Sequence, residues 1–578
     1  MNSIVDSRRL MGPNLYSSRM GAVLEVSVEA HRLDLLVESW KRIASAISIQ
    51  VGWPEPEVQV RKHRGGATLF LSAPIDVLMT ATDLAEQAWL LAELAVSVEA
   101  GTSLPLTPVM ERLLESRELE GREHLNLVGI YEAAIAHNVL VTFDDELLSI
   151  GSGAGARSWP LGELPEADEV PWSEIRDIPI SLVTGSNGKT TTTRLVAAMT
   201  RASGGSPGWC CSDGVWVGGE QVESGDFSGP MGARRVVRAA EVDVAILESA
   251  RGGMLRRGLA VSRADAAIIT NIAEDHFGEY GIESLDDLTS AKRIVERALS
   301  ADGCLVLNAD DARLAPVAER SVARIALFSA SPQHPALDAH VERGGDAAVV
   351  RDGHVMVRSG VAWHDLGCVD DMPLTMHGAA PHNIQNILGA VLLATALGAT
   401  VDGIRSALAT FGASNRDNPG RLQRYAFGGV TVLVDYAHNP DGLAALCETA
   451  RAIPATRRLL LLGQAGNRDD EDIRDLARVA MRLLPFDRVI IKEELKLLRG
   501  RSEGDVPRLL RDELERLGVP PERVETTRDE LLAMQRAFEW AREGDLLVCP
   551  IHVDKAEVLE WLARVAAAGW TPGTPVPN

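Results

Sequence analysis

The sequence predicts an α/β protein in three parts. These are a small α+β N-terminal domain, a central domain with a parallel sheet around a Gly-rich loop, and a C-terminal α/β domain of Rossmann-like type. At 578 residues the chain is too long for one compact domain, since a domain averages roughly 150 residues. Beyond residue 180, apolar strands alternate with helical segments, which is typical of a parallel sheet covered by helices. Turn-rich stretches divide the chain, and we predict domains over residues 1–165, 175–412 and 413–578.

The N-terminal domain is predicted from short strands and amphipathic helices in mixed order. Alternation of apolar and polar residues indicates strands, whereas apolar residues three to four positions apart indicate helices. The predicted elements are a strand over 22–29, a helix over 33–49, a hairpin over 57–72 that turns at Gly65-Gly66, a helix over 76–99, and a helix running into a strand over 126–143. No cluster of catalytic residue types stands in this region.

The central and C-terminal domains are predicted from largely apolar strands. A stretch rich in Gly, Ser, Pro and acidic residues, Gly151–Glu174, has the composition of a linker and precedes the first of these strands. The central strands read ISLVT, VDVAIL, ADAAIIT and GCLVLN. After a second turn-rich stretch, Gly412–Gly420, the C-terminal strands read VTVLVDY, RRLLLLG, DRVIIK and DLLVCP.

The net charge excludes several classes of partner. The formal charge is −23, and a field of this sign repels nucleic acids and anionic membrane surfaces. No run of about 18 uncharged apolar residues occurs, the length at which a membrane-spanning helix becomes a candidate. The N-terminus lacks the apolar stretch and cleavage site of a secretory signal. We therefore expect a cytoplasmic protein with no nucleic-acid partner and no membrane partner.

Cysteine and histidine spacing argues against a zinc site. The six cysteines form no C-x-x-C pair, and the thirteen histidines include no H-E-x-x-H motif. We expect reduced, mostly buried thiols. Any metal is expected among oxygen ligands.

The clearest chemical motif is the segment Thr184–Thr190, TGSNGKT, between an apolar strand and a helix. Backbone N–H groups at a helix N-terminus bind phosphate, Lys189 can reach the terminal phosphates, and the Thr190 hydroxyl can bind Mg²⁺. The alternative is a Gly-rich turn with a chance lysine, but the flanking strand and helix favour phosphate binding. The strict motif requires Gly where this chain has Val183, so the segment is a variant P-loop.

Two further residues follow strands of the same predicted sheet. Glu248 ends the strand VDVAIL, and His276 follows ADAAIIT. Ligands of open α/β sheets gather at the carboxyl ends of the strands, so both side chains are candidate Mg²⁺ ligands. A single histidine is more often structural, but its position beside the P-loop and Glu248 favours ligation.

Together these motifs resemble the Mur ligase family, and within it the Mur-ligase-like half of cyanophycin synthetases. The motifs are TGSNGKTTTTR, GDFSGP, LESARGGMLRRGL, NIAEDHFGEYGI, VLNADD, HNIQN, NPGRLQR, VDYAHNPDGL and IKEELKLLRGR, in that order over about 180–550. Gly12-Pro13-Asn14 is similar to the N-terminal domain of those synthetases, and residues 127–153 resemble the beginning of their ATP-grasp module. The rest of that module, with its ligase centre, is absent between residue 153 and the P-loop.

The resemblance implies an ATP-dependent amide ligase that forms ADP and phosphate through an acyl phosphate. Its substrates would be small amino acids or peptides, with an aspartate side chain as the carboxylate and arginine as the amine. Without an ATP-grasp centre, a short isopeptide is expected rather than a polymer. A glutamyl or cell-wall-like peptide ligase remains an alternative, as does a degenerate ATP-binding scaffold or regulator of a separate ligase. Assembly into a homo-oligomer stays open.

The resemblance also implies roles for residues of the nucleotide site. The ATP phosphates would be held by Gly185, Ser186, Asn187, Gly188, Lys189, Thr190 and Thr191. Thr190 and Glu248 would ligate one Mg²⁺, and His276 a second. Lys292 stands where Mur ligases often carry a carbamylated lysine, which would turn a cation into an anionic oxygen ligand; the alternative is a lysine on a helix surface.

The remaining implied roles concern the adenosine and the other substrates. Asn308 would face the adenine, and Arg421 and Asp435 would lie near the ribose and phosphates. His438 and Asn439 would lie where the central and C-terminal domains meet. Arg251, Arg256 and Arg257 can clamp a substrate carboxylate, or they are solvated charges on a loop. Asn467 departs from the Gly-Asp-Arg pattern usual in cyanophycin synthetases, which leaves the amine-side specificity open.

Overall fold

The computed structural model describes residues 3–53, 55–97, 104–274, 277–331 and 333–577. Four sheets organise these residues: an antiparallel sheet near the N-terminus, a small antiparallel sheet after it, a large central sheet and a C-terminal sheet. The predicted α/β fold is confirmed. Among the described helices, none is both long enough and apolar enough to cross a membrane.

The N-terminal part is a four-stranded antiparallel sheet packed against two long helices. The bounds are β1 Ser3–Leu10, β2 Gly21–Ser27, α1 Ala30–Gln50, β3 Val58–His63, β4 Gly66–Ser72, α2 Leu78–Ser97, α3 Leu106–Glu123 and α4 Leu127–Ala136. The strand order is β1-β2-β4-β3. Trp40 on α1 is buried and donates from Nε1 to the carbonyl oxygen of Ala85 on α2 (3.0 Å), so one apolar side chain also fixes the two helices together. The predicted hairpin is confirmed, since β3 and β4 pair up to His63 and Gly66.

The segment predicted as a linker is folded, so that interpretation of Gly151–Glu174 is wrong. It contains β7 Arg157–Pro160, which completes a three-stranded antiparallel sheet with β5 Val141–Phe143 and β6 Leu147–Ile150. Gly153 lies against the carbonyl oxygen of Val242, which also accepts a hydrogen bond from the Ala154 N–H (2.9 Å). The glycines therefore allow close backbone packing onto the central domain rather than flexibility.

The central sheet has eleven strands, seven of them parallel neighbours. The order is β11-β10-β9-β12-β8-β13-β14-β15-β16-β17-β18, with antiparallel strands at both edges. The strands are β8 Ile180–Thr184, β9 Pro207–Cys211, β10 Gly214–Val217, β11 Glu220–Ser224, β12 Val244–Glu248, β13 Ala264–Ile269, β14 Leu299–Asn308, β15 Arg324–Ser329, β16 Asp346–Arg351, β17 His354–Ser359 and β18 Ala362–Cys368. The helices are α5 Lys189–Ala202, α6 Pro230–Val237, α7 Arg251–Arg257, α8 Leu285–Lys292, α9 Ala315–Arg320, α10 Pro335–Glu342, α11 Pro381–Ala396 and α12 Val401–Thr410.

Helices cover both faces of this sheet, as its apolar strands require. Alternate strand residues point to opposite faces, and one face packs against α5, α11 and α12 while the other packs against α6, α7 and α8. Ile246 and Leu247, adjacent in β12, belong to these two different cores. Burial on both sides explains why the strands read as nearly continuous apolar runs.

The C-terminal sheet has six strands in the order β19-β20-β24-β21-β22-β23, parallel except for β19. The elements are β19 Gln423–Phe427, β20 Val430–Asp435, α13 Pro440–Ala452, β21 Arg458–Leu462, α14 Asp470–Leu483, β22 Arg488–Lys492, α15 Asp505–Arg516, β23 Val524–Thr527, α16 Glu530–Trp540, β24 Leu546–Pro550 and α17 Lys555–Ala567. Helices α13–α15 cover one face, and α16 and α17 cover the other.

The carboxyl ends of strands from both large sheets border one cavity of about 1010 Å³. Residues after β8, β12, β13 and β14 line its central-domain side, and residues after β20 line its C-terminal side. The N-terminal part docks nearby, where the Met11 N–H donates to the carbonyl oxygen of Arg257 (2.8 Å) and the Leu259 N–H donates to that of Pro13 (2.7 Å). All three parts therefore meet around α7.

Candidate active site

The P-loop joins β8 to α5 at the floor of this cavity. Helix α5 begins at Lys189, so its first N–H groups have no partner within the helix and point to the loop side. The Lys189 Nζ donates to the carbonyl oxygen of Ser186 (2.9 Å), which holds the ammonium over the loop. Val183, the departure from the strict motif, lies in β8 between Glu248 of β12 and Ile268 of β13, where an apolar residue fits the sheet core.

Three residues outside the loop fix its shape. Asn271 accepts the Asn187 N–H at Oδ1 (2.9 Å) and donates from Nδ2 to the carbonyl oxygen of Asn187 (3.1 Å). The Thr270 hydroxyl donates to the same carbonyl oxygen (2.6 Å). Asn386 of α11 lies so close to Gly188 that any Cβ there would clash with its Oδ1. The sequence reasoning did not single out Asn271 or Asn386, although both stand inside the motifs NIAEDH and HNIQN.

Glu248 lies directly beside the first turn of α5. The Thr190 hydroxyl donates to Glu248 Oε2 (2.8 Å) and lies 3.2 Å from the Ser212 hydroxyl. Glu248 is only 2% exposed. Burial raises the pKa of its carboxyl, while Lys189 and the Thr190 hydrogen bond act in the opposite direction. A buried carboxylate next to two hydroxyl groups is an oxygen-rich donor set of the kind that Mg²⁺ prefers.

Of the other two predicted metal ligands, His276 and Lys292, the structure describes only Lys292. His276 lies outside the described residues, so its role stays a prediction. Lys292, the last residue of α8, is 3% exposed and lines the same cavity. The alternative of an exposed lysine on a helix surface is therefore wrong.

The C-terminal side of the cavity contributes a cation and an acidic group. Arg421 donates from Nη2 to the Ser212 hydroxyl (2.9 Å), and its guanidinium lies over the Tyr436 ring at 4.2 Å. Asp435 accepts the Leu422 N–H (2.6 Å) at the end of β20. Burial raises the pKa of the Asp435 carboxyl, which the charge of Arg421 opposes. Arg421 and Asp435 thus line the cavity opposite the P-loop.

Asn187 of the P-loop contacts the C-terminal domain directly. Its Nδ2 donates to Asp441 Oδ2 (3.0 Å), and its Oδ1 accepts a hydrogen bond from Asn439 Nδ2 (3.1 Å). Asn439 also caps α13 by accepting the Gly442 N–H at Oδ1 (2.7 Å). The structure therefore places Asn439 at the junction of the two domains. His438 beside it lines the cavity, and its Nδ1 lies 3.1 Å from the carbonyl oxygen of Tyr436.

The predicted carboxylate clamp is already in contact with protein groups. Arg251 forms an ion pair with Glu279, and Arg256 donates from Nε to the Tyr280 hydroxyl (3.0 Å). Both arginines, together with Arg257, line the cavity. Glu279 also accepts from Nδ2 of Asn467 (2.9 Å), which joins the central and C-terminal domains at this point. The sequence analysis did not single out Glu279, although it stands inside the motif NIAEDHFGEYGI.

Asn308 lies at the carboxyl end of β14 with both ends of its amide occupied. Its Nδ2 donates to the carbonyl oxygen of Thr270 (3.2 Å), and its Oδ1 accepts the Asp310 N–H (3.0 Å). It lines the cavity, but these bonds indicate that it shapes the loop after β14. Its predicted contact with adenine stays a prediction.

Family models match two parts of the chain. The Mur ligase middle domain matches residues 183–394, and the Mur ligase glutamate ligase domain matches residues 420–550. These ranges contain the P-loop helix, Glu248 and Lys292 on one side, and Arg421, Asp435 and Asn439 on the other.

Curated relatives match a large part of the chain. The chain is 38% identical to the cyanophycin synthetase of Trichormus variabilis over 380 residues, which are 66% of this chain and 42% of that protein. It is 28% identical to the UDP-N-acetylmuramoyl-L-alanyl-D-glutamate–2,6-diaminopimelate ligase of Chlorobaculum tepidum, over 72% of this chain and 83% of that one. A solved structure of E. coli FolC with ADP has a TM-score of 0.49 at 19% identity, covering 67% of this chain and 90% of that one. The chain spans less than half the length of the cyanophycin synthetases that it matches.

Proposed function

This chain belongs to the Mur ligase family through its middle and C-terminal domains, and we propose that it is an ATP-dependent acid–amino-acid ligase that forms an amide bond with release of ADP and phosphate. The observation that carries this proposal is the single cavity bordered by the P-loop and Glu248 on one side and by Arg421 and Asp435 on the other. A ligase needs a nucleotide and two further substrates in one enclosure, and this cavity adjoins both domains. The relatives named above are ligases, which supports the proposal.

The proposed reaction has two steps. A substrate carboxylate oxygen attacks the γ-phosphorus of ATP, and the bond to the bridging oxygen breaks to release ADP. An uncharged amine nitrogen then attacks the acyl carbon of the acyl phosphate, the carbon–oxygen bond breaks to release phosphate, and the nitrogen loses a proton. Both steps develop negative charge on oxygens, which Lys189 and the N-terminus of α5 can stabilise.

The residues of this chain hold and orient the reactants. The P-loop amides would bind the phosphates, and Thr190 with Glu248 would hold Mg²⁺, which when bound supplies positive charge beside the phosphates. His276 and Lys292, the latter as a carbamate, complete the proposed ligand set. Arg421 would bind the nucleotide from the C-terminal side. Contact of Asn187 with Asn439 and Asp441 brings the C-terminal domain against the P-loop, and this closeness would limit the access of water to the acyl phosphate.

For the substrates we favour an aspartate side chain as the carboxylate and arginine as the amine, joined as a short isopeptide. This choice rests on the similarity to cyanophycin synthetases. Glu279, an acidic group at the cavity where the two domains meet, can bind a cationic amine substrate. A peptide ligase of the cell-wall type is the second candidate, because Mur ligases acting on UDP-N-acetylmuramoyl substrates also match the chain.

ADP release across a panel of acids and amines tests the activity and its substrates. We expect Lys189→Ala to abolish ADP release, because the γ-phosphate then lacks its fixed cation in the transition state. Glu248→Gln removes the anion while keeping the shape, and we expect turnover to fall at least about a hundredfold. Far-ultraviolet circular dichroism should show both variants folded.

The matched control is Lys62→Ala, which removes an exposed lysine of the N-terminal sheet and should leave turnover unchanged. ADP release restricted to muramoyl peptide substrates would favour the second candidate. If the wild type releases no ADP with any acid and amine pair, the protein is a nucleotide-binding scaffold instead.

A further inference from the structure

Four ionisable side chains meet inside the C-terminal domain, next to the cavity but outside the residues considered so far. They are Lys492 at the end of β22, Glu494 two residues later, Glu530 at the start of α16, and His552 shortly after β24. All four side chains are at most 3% exposed. Since isolated buried charges are very costly, four of them together require a mutual arrangement.

The group brings oppositely charged side chains into contact. The Lys492 ammonium contacts Glu530 Oε1, and its Nζ lies 3.3 Å from Glu494 Oε1. Burial alone would raise the pKa of the Glu494 carboxyl, but the charges of His552 and Lys492 lower it to about 2. The two carboxylates and the histidine have the spacing of a metal site within the described residues, yet here an ammonium already supplies positive charge. The group is therefore an internal ionic network.

His552 connects this network to the cavity. Its Nδ1 lies 2.5 Å from Glu494 Oε1, and its Nε2 lies 2.9 Å from the carbonyl oxygen of Ala437. The Lys492 Nζ also lies 3.3 Å from Nδ1, so one side of the ring faces Glu494 and Lys492 while the other side faces Ala437. The ring also packs edge-on against Tyr436, with centroids 5.4 Å apart.

The segment held by His552 is the one that reaches the P-loop. Tyr436, Ala437 and His438 line the cavity, and Asn439 and Asp441 directly after them contact Asn187. A shift of the Ala437 carbonyl would therefore move the residues that meet the nucleotide-binding loop.

Glu530 holds a second segment that crosses to the central domain. Its carboxylate accepts the N–H groups of His552 (2.6 Å) and Asp554 (2.7 Å). The next residue, Lys555, forms an ion pair with Asp213 of the central domain, beside Ser212 and Thr190. The two carboxylates of the network thus fix two different cross-domain contacts.

We propose that Lys492, Glu494, Glu530 and His552 are positioning residues that hold segments 436–441 and 552–555 in the geometry that meets the P-loop and Asp213. The expected effect on kcat rests on the proposed ligase function, whereas the positioning of the two segments does not. Lys492 and Glu494 belong to the motif IKEELKLLRGR. The proposed positioning role accounts for these two residues of the motif.

The central test replaces His552 by alanine and by glutamine. His552→Ala removes the bond to Ala437, and we expect kcat for ADP release to fall roughly ten- to hundredfold, because misplacing reactive groups by about 1 Å has effects of that size. The affinity for a non-hydrolysable ATP analogue should change less than about twofold, since the P-loop belongs to the central domain. His552→Gln should recover part of kcat, because a side-chain amide can donate to Ala437.

Asp545→Asn is the matched control. Asp545 is a buried carboxylate at the opposite end of β24, paired with Arg457. Its substitution should lower the melting temperature while leaving kcat unchanged. If His552→Ala lowers kcat no more than Asp545→Asn does, the network is merely structural and the proposal is overturned.

Hydrogen exchange provides a readout that needs no enzymatic activity. We expect faster exchange of amides in 436–442 for His552→Ala, a return toward the wild-type rate for His552→Gln, and no change there for Asp545→Asn. Glu530→Gln should speed exchange at 552–555, which serves as the test if His552→Ala does not fold. Unchanged exchange at these segments would overturn the proposal, whereas a wild type without ADP release would overturn only the ligase function.

Discussion

Single residues at the junction of the two domains set the local charge at one end of the cavity. Asn467 and Arg251 approach Glu279 from the C-terminal and central domains respectively, and both donate to its carboxylate. An amide at position 467 leaves Glu279 the only carboxylate in this set of three. In the cyanophycin synthetase pattern an aspartate stands there instead, which would double the negative charge.

Asn467→Asp tests this local charge balance. The new carboxylate would face Glu279 across a distance now spanned by a 2.9 Å hydrogen bond, and Arg251 would then be one cation beside two carboxylates, which leaves an excess negative charge that a cationic amine can neutralise. We therefore expect the ratio of kcat/KM for arginine over a neutral amino acid to rise about tenfold, the value of one charge-assisted hydrogen bond. Asn467→Ala removes the bond without adding charge and should leave the ratio unchanged. An equal loss for both amines in Asn467→Asp would contradict the role of Glu279.

The lowered pKa of the Glu494 carboxyl leads us to expect that the free energy of unfolding depends on pH. Its folded pKa of about 2 lies below the ordinary value of 4.5, so its stabilising contribution is present above pH 4.5 and is lost as the pH falls toward 2. At about 1.4 kcal/mol per pKa unit, this contribution is roughly 3 kcal/mol. Urea unfolding of Glu494→Gln and wild type from pH 6 to pH 2 should show a difference that shrinks over that window. Glu503→Gln, at an exposed position, should show none, and a pH-independent difference for Glu494→Gln would contradict the assignment.

Among the elements, the turn between β8 and α5 is held in place by a helix that is distant in sequence. Gly188 precedes the helix with φ +84°, a left-handed conformation that favours glycine, and it packs against Asn386 of α11. The P-loop is therefore held by a helix that follows it by almost two hundred residues in sequence.

Gly188→Ala should weaken binding of an ATP analogue in addition to lowering the free energy of unfolding. We expect loss of about 1 kcal/mol from the left-handed conformation and at least a tenfold weaker affinity for an ATP analogue, because the added Cβ displaces Asn386. Isothermal titration calorimetry measures the affinity. Gly204→Ala is the control, since Gly204 also has positive φ but open space around its Cβ position, and it should keep full affinity. Equal affinities for the two variants would show that the Asn386 contact is unimportant.

Many of the described contacts between the central and C-terminal domains join polar side chains. They include Asn187 with Asp441, Lys555 with Asp213, and the Thr191 hydroxyl with Asn418 (3.0 Å). Interfaces of this kind are compatible with movement of one domain relative to the other.

We expect ATP to shift the protein to a more compact state, as Arg421 and the P-loop then share one ligand. Small-angle scattering with and without a non-hydrolysable ATP analogue and Mg²⁺ should show a smaller radius of gyration with the analogue. Lys555→Ala removes the ion pair to Asp213 and should reduce this compaction, whereas Arg508→Ala, at an exposed position in the same domain, should not. An unchanged radius in the wild type would contradict closure.

Local patterns in the sequence were enough to predict the strands, the P-loop and Glu248. Apolar runs predicted the strands of both large sheets, because strands buried on two faces have few polar positions. The segment TGSNGKT, with the strand before it and the helix after it, predicted a P-loop, since the backbone turn, the cation and the hydroxyl stand within seven residues. Glu248 followed from the general position of ligands at strand ends, and the structure places it in contact with Thr190.

Contacts between side chains that are far apart in sequence could be known only from the tertiary structure. Asn187 and Asp441 are 254 residues apart, and no local pattern encodes that the P-loop touches α13. The same holds for Asn467 with Glu279 and for the ionic network around Lys492, whose charges resemble surface residues until the fold buries them. The Gly-rich segment before β8 has the composition of a linker. In the structure Gly153 packs against the carbonyl oxygen of Val242, where a larger residue would not fit. Composition and spacing fix backbone conformation, whereas the pairing of side chains depends on the arrangement of the sheets.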